Sequence, residues 1–114
     1  MIAHQADNLC LVRALGEIDL ATIRDLDLAL TQVQSDSDTS LLLDLWDVTY
    51  IDSLGIGVLL SASRRAQRNR RGFAVVAEPN GPVGRVFDLA GVTGALSVCA
   101  TRALANSMLR TSSA

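Results

Sequence analysis

Residues 41–60 read L-L-L-D-L-W-D-V-T-Y-I-D-S-L-G-I-G-V-L-L. Leu41 to Leu45 is a short, mostly continuous apolar run, the pattern of a strand covered on both faces. From Leu54 the period changes: Ile56, Leu59 and Leu60, with Ser63 or Ala66, recur at helical spacing and predict a helix over 54–69. At the change of period stands Ser53, between the carboxylate of Asp52 and the paired glycines Gly55 and Gly57. A buried strand followed closely by an amphipathic helix is the repeating unit of an α/β layer fold.

Outward from this stretch the same alternation continues. Asn8 to Leu15 is largely apolar and closes at Gly16, a strand that a short edge strand over Met1 to His4 would precede. From Asp19 to Gln34 the apolar positions Leu20, Ile23, Leu26, Leu30 and Val33 predict a helix, with Arg24, Asp25 and Asp27 on its wet side. The polar run S-D-S-D-T-S over 35–40 ends it as a loop. Phe73 to Ala77 is a second buried strand, E-P-N-G-P turns the chain, and Val83 to Leu89 is a short helix that Gly91 terminates. Ala95 to Cys99 is a weaker strand candidate, and Ala103 to Arg110 a last helix. The fold class is therefore α/β, with a mixed, mainly parallel central sheet of four to five strands and about four helices packed against it. Strands so few leave one face of the sheet partly open. At 114 residues the chain is expected to form one domain over 1–114, with 1–7 a loose terminus or short edge strand and 111–114 a disordered tail.

Composition removes several function classes. The net charge is −2, too small for nucleic-acid binding to follow from whole-chain electrostatics, and all ten basic residues are arginine. Cys10 and Cys99 lie in apolar runs and read as buried small hydrophobes, not as a disulfide. The N-terminus has no basic segment leading into an apolar one, and nothing approaches the ~20 apolar residues of a membrane span. A soluble, cytoplasmic protein is expected.

The chemistry of Ser53 narrows in the same way. A serine hydrolase needs a base, yet the only histidine is His4, and the G-x-S-x-G elbow is absent. One histidine and two distant cysteines offer no metal-ligand spacing; Asp44, Asp47 and Asp52 are better read as turn and capping groups than as a magnesium site. The glycines 55 and 57 lack a third partner, because Leu60 takes its place, and a P-loop needs a lysine that this chain does not have. No enzyme activity and no cofactor are expected. Five arginines, at 64, 65, 68, 70 and 71, close the second helix, where cations suit the helix dipole; an acidic protein or membrane surface is the other reading. Ser53 itself reads locally as a helix N-cap worth ~1 kcal/mol. The same position tolerates an added phosphate, whose charge of roughly −1.5 to −2 would burden an apolar docking face formed by Tyr50, Leu54 and Ile56.

Three motifs in order, spread over about residues 10 to 110, resemble the anti-sigma factor antagonists of the STAS domain class. They are L-G-E-I-D-L-A-T at 15–22, Y-I-D-S-L-G-I-G at 50–57, and R-V-F-D-L-A-G-V at 85–92. The resemblance implies a STAS-type fold and a binding switch in place of an enzyme. The unmodified domain would bind an anti-sigma factor that is itself a serine kinase carrying its own ATP, and so release the sigma factor. Phosphorylation of Ser53 would end that contact, and a phosphatase would restore it. Partner-binding residues implied are Asp19, Asp52, Ser53, Leu54, Gly55, Ile56 and Gly57, with no direct nucleic-acid contact. Leu54 replaces the second serine common in the family, and the short N-terminal region implies a stunted or missing first strand. Relatives sharing the fold also serve as scaffolds in signalling assemblies or in transport and lipid systems, where Ser53 would be a cap alone.

Overall fold

The computed structural model describes the backbone of residues 2–6, 8–36 and 38–112, with side chains over 8–36 and 38–110. Seven strands and four helices alternate along the described chain: β1 (Ile2–Ala6), β2 (Leu9–Arg13), β3 (Gly16–Ile18), α1 (Ile23–Gln34), β4 (Ser40–Asp44), β5 (Val48–Ile51), α2 (Ser53–Arg68), β6 (Phe73–Val76), α3 (Pro82–Ala90), β7 (Val98–Cys99) and α4 (Arg102–Ser112). A five-stranded sheet has the order β1-β2-β4-β6-β7, parallel except for the antiparallel β1. All five residues of β4 and all four of β6 are buried, as their continuous apolar runs require of strands covered on both faces.

Alternation along the strands sends side chains to two cores. Cys10, Val12, Leu41, Leu43 and Val75 pack under α1, α2 and α3, which contribute Leu26, Leu30, Leu59, Ala62 and Phe87. Each fully buried leucine there stabilises the fold by roughly 1.5–3 kcal/mol. On the other face α4 lays Ala105 and Leu109 over Leu42, Ala74 and Val76, with Leu9 and Leu11 only partly buried beside them. A single helix thus covers the face that sequence expected to stand partly open.

Several boundaries differ from expectation for local reasons. The first strand is present as β1, paired residue for residue from Ile2↔Arg13 to Ala6↔Leu9, so it is neither stunted nor missing. Met1 and Ser37 lie outside the described residues. Helix α1 starts at Ile23 and not at Asp19, because Asp19 to Thr22 form a side-chain-closed turn; Leu20, placed by periodicity on the buried stripe, is 76% exposed. Helix α3 ends on Gly91 in the left-handed conformation at φ 70°, as its position predicted. The tail expected over 111–114 falls partly within α4, which runs to Ser112; residues 113 and 114 are outside the described ones.

The second sheet, β3 with β5, was not expected. It continues the β2–β4 pair after a bend: Ala14 N–H donates to Asp44 O, Gly16 N–H donates to Asp47 O, and parallel pairing resumes with Gly16↔Val48. Gly16 at φ +76° and a register shift between Gly16 and Glu17 supply the bend. Two neighbouring parallel strands therefore extend beyond the main sheet together and release the chain at one place.

Candidate functional site

That place is set by the last pair of the second sheet, Ile18↔Ile51, both buried. The next residues on the two strands are Asp19 and Asp52, so residues 33 apart in sequence emerge side by side at the carboxyl ends of parallel strands. This is the end of an α/β sheet where sites are ordinarily assembled. Periodicity could not find it, since β3 is only three residues long.

Each carboxylate organises a helix start. Asp19 Oδ1 accepts from Ala21 N (3.0 Å) and Thr22 N (3.2 Å), while the Thr22 hydroxyl donates to Glu17 O (2.7 Å) and accepts from Asp19 N (3.0 Å). Asp52 has extended backbone (φ −107°, ψ −175°), and its Oδ1 accepts from Gly55 N at 3.0 Å. Asp52, not Ser53, is therefore the N-cap of α2, which corrects the local reading of the serine. In the pair D-S the cap is whichever residue stays extended while the next turns helical, and the carboxylate holds that position. Among the described residues, neither Oδ2 has a hydrogen-bond partner.

Ser53 is consequently the first helical residue, exposed, with a hydroxyl that has no hydrogen-bond partner among the described residues. It stands at the positive end of a 16-residue helix. The surface beside it is apolar: Tyr50 is 49% exposed, Leu54 54%, and Leu20 follows Asp19 at the same strand end. Ile56, expected on that surface, is buried in the main core instead.

The two glycines separate by role. A Cβ on buried Gly55 would lie 2.6 Å from Ile51 Cγ1 and 3.1 Å from Ile18 Cγ2, so only glycine lets α2 seat on the second sheet. Gly57 is exposed, and a Cβ there meets nothing within 4 Å. Of the residues expected to meet a partner, Asp19, Asp52, Ser53, Leu54 and Gly57 reach the surface, whereas Gly55 and Ile56 face inward and position the others.

The remaining candidates are occupied elsewhere. Asp44 is buried at the end of β4, where Oδ1 accepts from Trp46 N (2.9 Å) and Oδ2 pairs with Arg102 Nε (2.7 Å) and Nη2 (2.6 Å). Asp47 pairs with Arg13, and the hydrogen bond and charge of Asp47 raise the guanidinium pKa still further. Neither cysteine forms a disulfide; Cys10 is buried, and burial pushes the half-buried Cys99 thiol pKa upward. Among the described residues no three His, Cys, Asp or Glu side chains are placed to hold a metal, and no helix is long and apolar enough to cross a membrane. The side chain of His4 lies outside the described ones.

An α/β fold of mainly parallel strands, with an exposed serine opening the helix after the carboxyl end of its second sheet, defines the class of domain. The STAS domain family model matches residues 1–105, and the chain belongs to that family. An anti-sigma factor antagonist from Mycobacterium paratuberculosis has a similar structure, with TM-score 0.86, 28% identity, and coverage of 96% of this chain and 92% of that one. The anti-sigma factor antagonist SpoIIAA in its unphosphorylated form shares the fold at TM-score 0.68 and 16% identity, with 96% of each chain covered. The anti-sigma-B factor antagonist of Staphylococcus aureus (strain NCTC 8325 / PS 47) is 25% identical over 87 residues, 76% of this chain and 80% of its own. The STAS-type fold expected from sequence is the fold observed.

Proposed function

We propose that this chain is an anti-sigma factor antagonist that binds a serine-kinase anti-sigma factor when unmodified and is switched off by phosphorylation of Ser53. The observation that carries the reading is the exposed Ser53 hydroxyl, free of hydrogen bonds among the described residues because Asp52 does the capping. The relatives named as anti-sigma factor antagonists support the choice of partner class. In the step itself Ser53 Oγ attacks the γ-phosphorus of ATP held by the partner. The Oγ–P bond forms, the bond to the β-phosphate oxygen breaks and ADP leaves, while the hydroxyl proton passes to a base of the partner. A phosphatase hydrolyses the serine phosphate and restores the binding form. The new charge of roughly −1.5 to −2 falls beside Tyr50 and Leu54, where a docked partner would shut out water. Burying such a charge unpaired costs several kcal/mol, and each ~1.4 kcal/mol is tenfold in affinity.

The test is incubation with a kinase-type anti-sigma factor from the same organism, plus ATP, followed by intact mass. One added phosphate that disappears in Ser53→Ala, with binding retained by that variant, is the expected result. A phosphate on another residue, or none, sinks the proposal.

A further inference from the structure

The main sheet has a carboxyl end of its own, which the site at Ser53 does not use. There β4 ends at Asp44, β6 at Val76 and β7 at Cys99. On the side covered by α4, a cavity of about 260 Å³ opens at this end, lined by Asp44, Trp46, Val76, Ala100, Thr101 and Arg102. The carboxyl ends of parallel strands are where α/β sheets ordinarily take ligands. The polar groups of the cavity are fixed from within. Asp44, 4% exposed, accepts from Trp46 N (2.9 Å) through Oδ1 and from Arg102 Nε (2.7 Å) and Nη2 (2.6 Å) through Oδ2. With both oxygens engaged, the carboxylate orients the guanidinium instead of offering itself to a cation. Arg102 is held as a planar fork, and its Nη1 has no partner among the described residues.

The surrounding charges are paired or stand apart. Arg13, within reach of the charge of Asp44, is bonded to Asp47. Glu78 and Asp88 line an adjoining cavity that shares only Ala100 with this one. The Thr101 hydroxyl accepts from Leu104 N (3.1 Å) and so caps α4. Among the described residues, no unpaired carboxylate therefore lines the cavity to repel an anion. Its other walls are apolar. Trp46, the only tryptophan of the chain, is 44% exposed, and the bond from its N–H to Asp44 fixes the turn that carries it. We infer that this cavity binds a small aromatic carboxylate, whose ring lies against Trp46 and whose carboxylate accepts from Arg102. A hydrogen bond from guanidinium to carboxylate is charge-assisted, and ring stacking adds to the apolar contact with Val76 and Ala100. The volume falls just below the range of roughly 300–1,000 Å³ that takes drug-sized ligands, which selects a single ring. Nothing in this site depends on the switch at Ser53.

The test titrates sodium benzoate into the full chain at constant ionic strength and follows the Trp46 indole N–H signal by NMR. Acetate, which has the charge without the ring, and benzamide, which has the ring without the charge, are titrated in parallel. A saturable shift with half-saturation at or below about 1 mM benzoate is expected, with acetate and benzamide each at least tenfold weaker. Ala100→Leu fills the cavity while keeping Trp46, Asp44 and Arg102, and is expected to weaken benzoate binding at least tenfold. Arg102→Lys keeps a cation opposite Asp44 but loses the planar fork, and the same loss is expected. Thermal melts verify that each variant is folded. The site is overturned by a wild-type chain with no saturable shift, or by acetate or benzamide binding as tightly as benzoate. Unchanged benzoate affinity in either folded variant overturns it equally.

Discussion

Replacing Asp52 by alanine is expected to destabilise the protein by about 1–2 kcal/mol, while Ser53→Ala stays within about 0.5 kcal/mol of wild type. The difference follows from one bond. Asp52 Oδ1 accepts from Gly55 N at 3.0 Å, and Gly55 is buried against Ile51 and Ile18, so water cannot readily replace the lost acceptor. A buried donor left without a partner costs about 1–3 kcal/mol, which places Asp52→Ala in the upper part of the capping range. Ser53 contributes no side-chain hydrogen bond among the described residues, and alanine is the better helix former. Asp52→Asn keeps an oxygen in the same place and should recover most of the loss. Urea unfolding followed by circular dichroism separates the variants: midpoints shift with the slope unchanged, and 1 kcal/mol moves the thermal midpoint by roughly 4 °C at this size. A Ser53→Ala loss equal to that of Asp52→Ala, or an Asp52→Ala midpoint indistinguishable from wild type, refutes the assignment of the cap.

Gly55→Ala should destabilise by about 1–3 kcal/mol despite the better helix propensity of alanine, since its methyl group would overlap Ile51 Cγ1 at 2.6 Å; thermal melts check this. Arg102→Ala should cost about 1–2 kcal/mol, because Asp44 stays buried with only Trp46 N–H while solvent around the half-exposed arginine limits the loss. The single tryptophan, Trp46, lies beside that pair and should change its emission in the same variant. Cys99 has its thiol pKa raised by burial, so its thiolate forms at higher pH than an exposed cysteine's. Iodoacetamide labelling of Cys99 in a Cys10→Ser background should accordingly be slower than that of a cysteine peptide and reach half-maximal rate at higher pH.

Sequence carried the main sheet because β4 and β6 are buried on both faces and so are apolar without interruption. It carried α2 and α3 because each has one periodic apolar stripe, with Gly91 in place to end α3. It misread Leu20 because the turn closed by Asp19 and Thr22 mimics the first helical turn in spacing while its side chain points to solvent. It missed β3 because three residues cannot show a period of two, and the bend at Gly16 reads as a strand end. The site was legible as a motif at 50–57, but not as a geometry. Asp19 and Asp52 meet only because Ile18 pairs with Ile51, a long-range register that no local pattern reports. The cap was placed on Ser53 for a similar reason, since both residue types are good caps and backbone angles decide between them.

The separation of cap from hydroxyl bears on how the proposed switch works. If Ser53 held the helix start, a phosphate there would remove the cap, and lost binding would be mixed with a frayed α2. With Asp52 as cap, the Ser53 hydroxyl takes no part in the bond to Gly55 N, and its modification leaves that bond in place. In the free protein the phosphate would sit in water at the positive end of a helix, where the dipole offsets part of its repulsion from Asp52. In the complex the same charge would lose its water beside Tyr50 and Leu54. The free-energy difference then falls almost wholly on the bound state. That is the condition for a modification to control affinity without changing the stability of the domain that carries it.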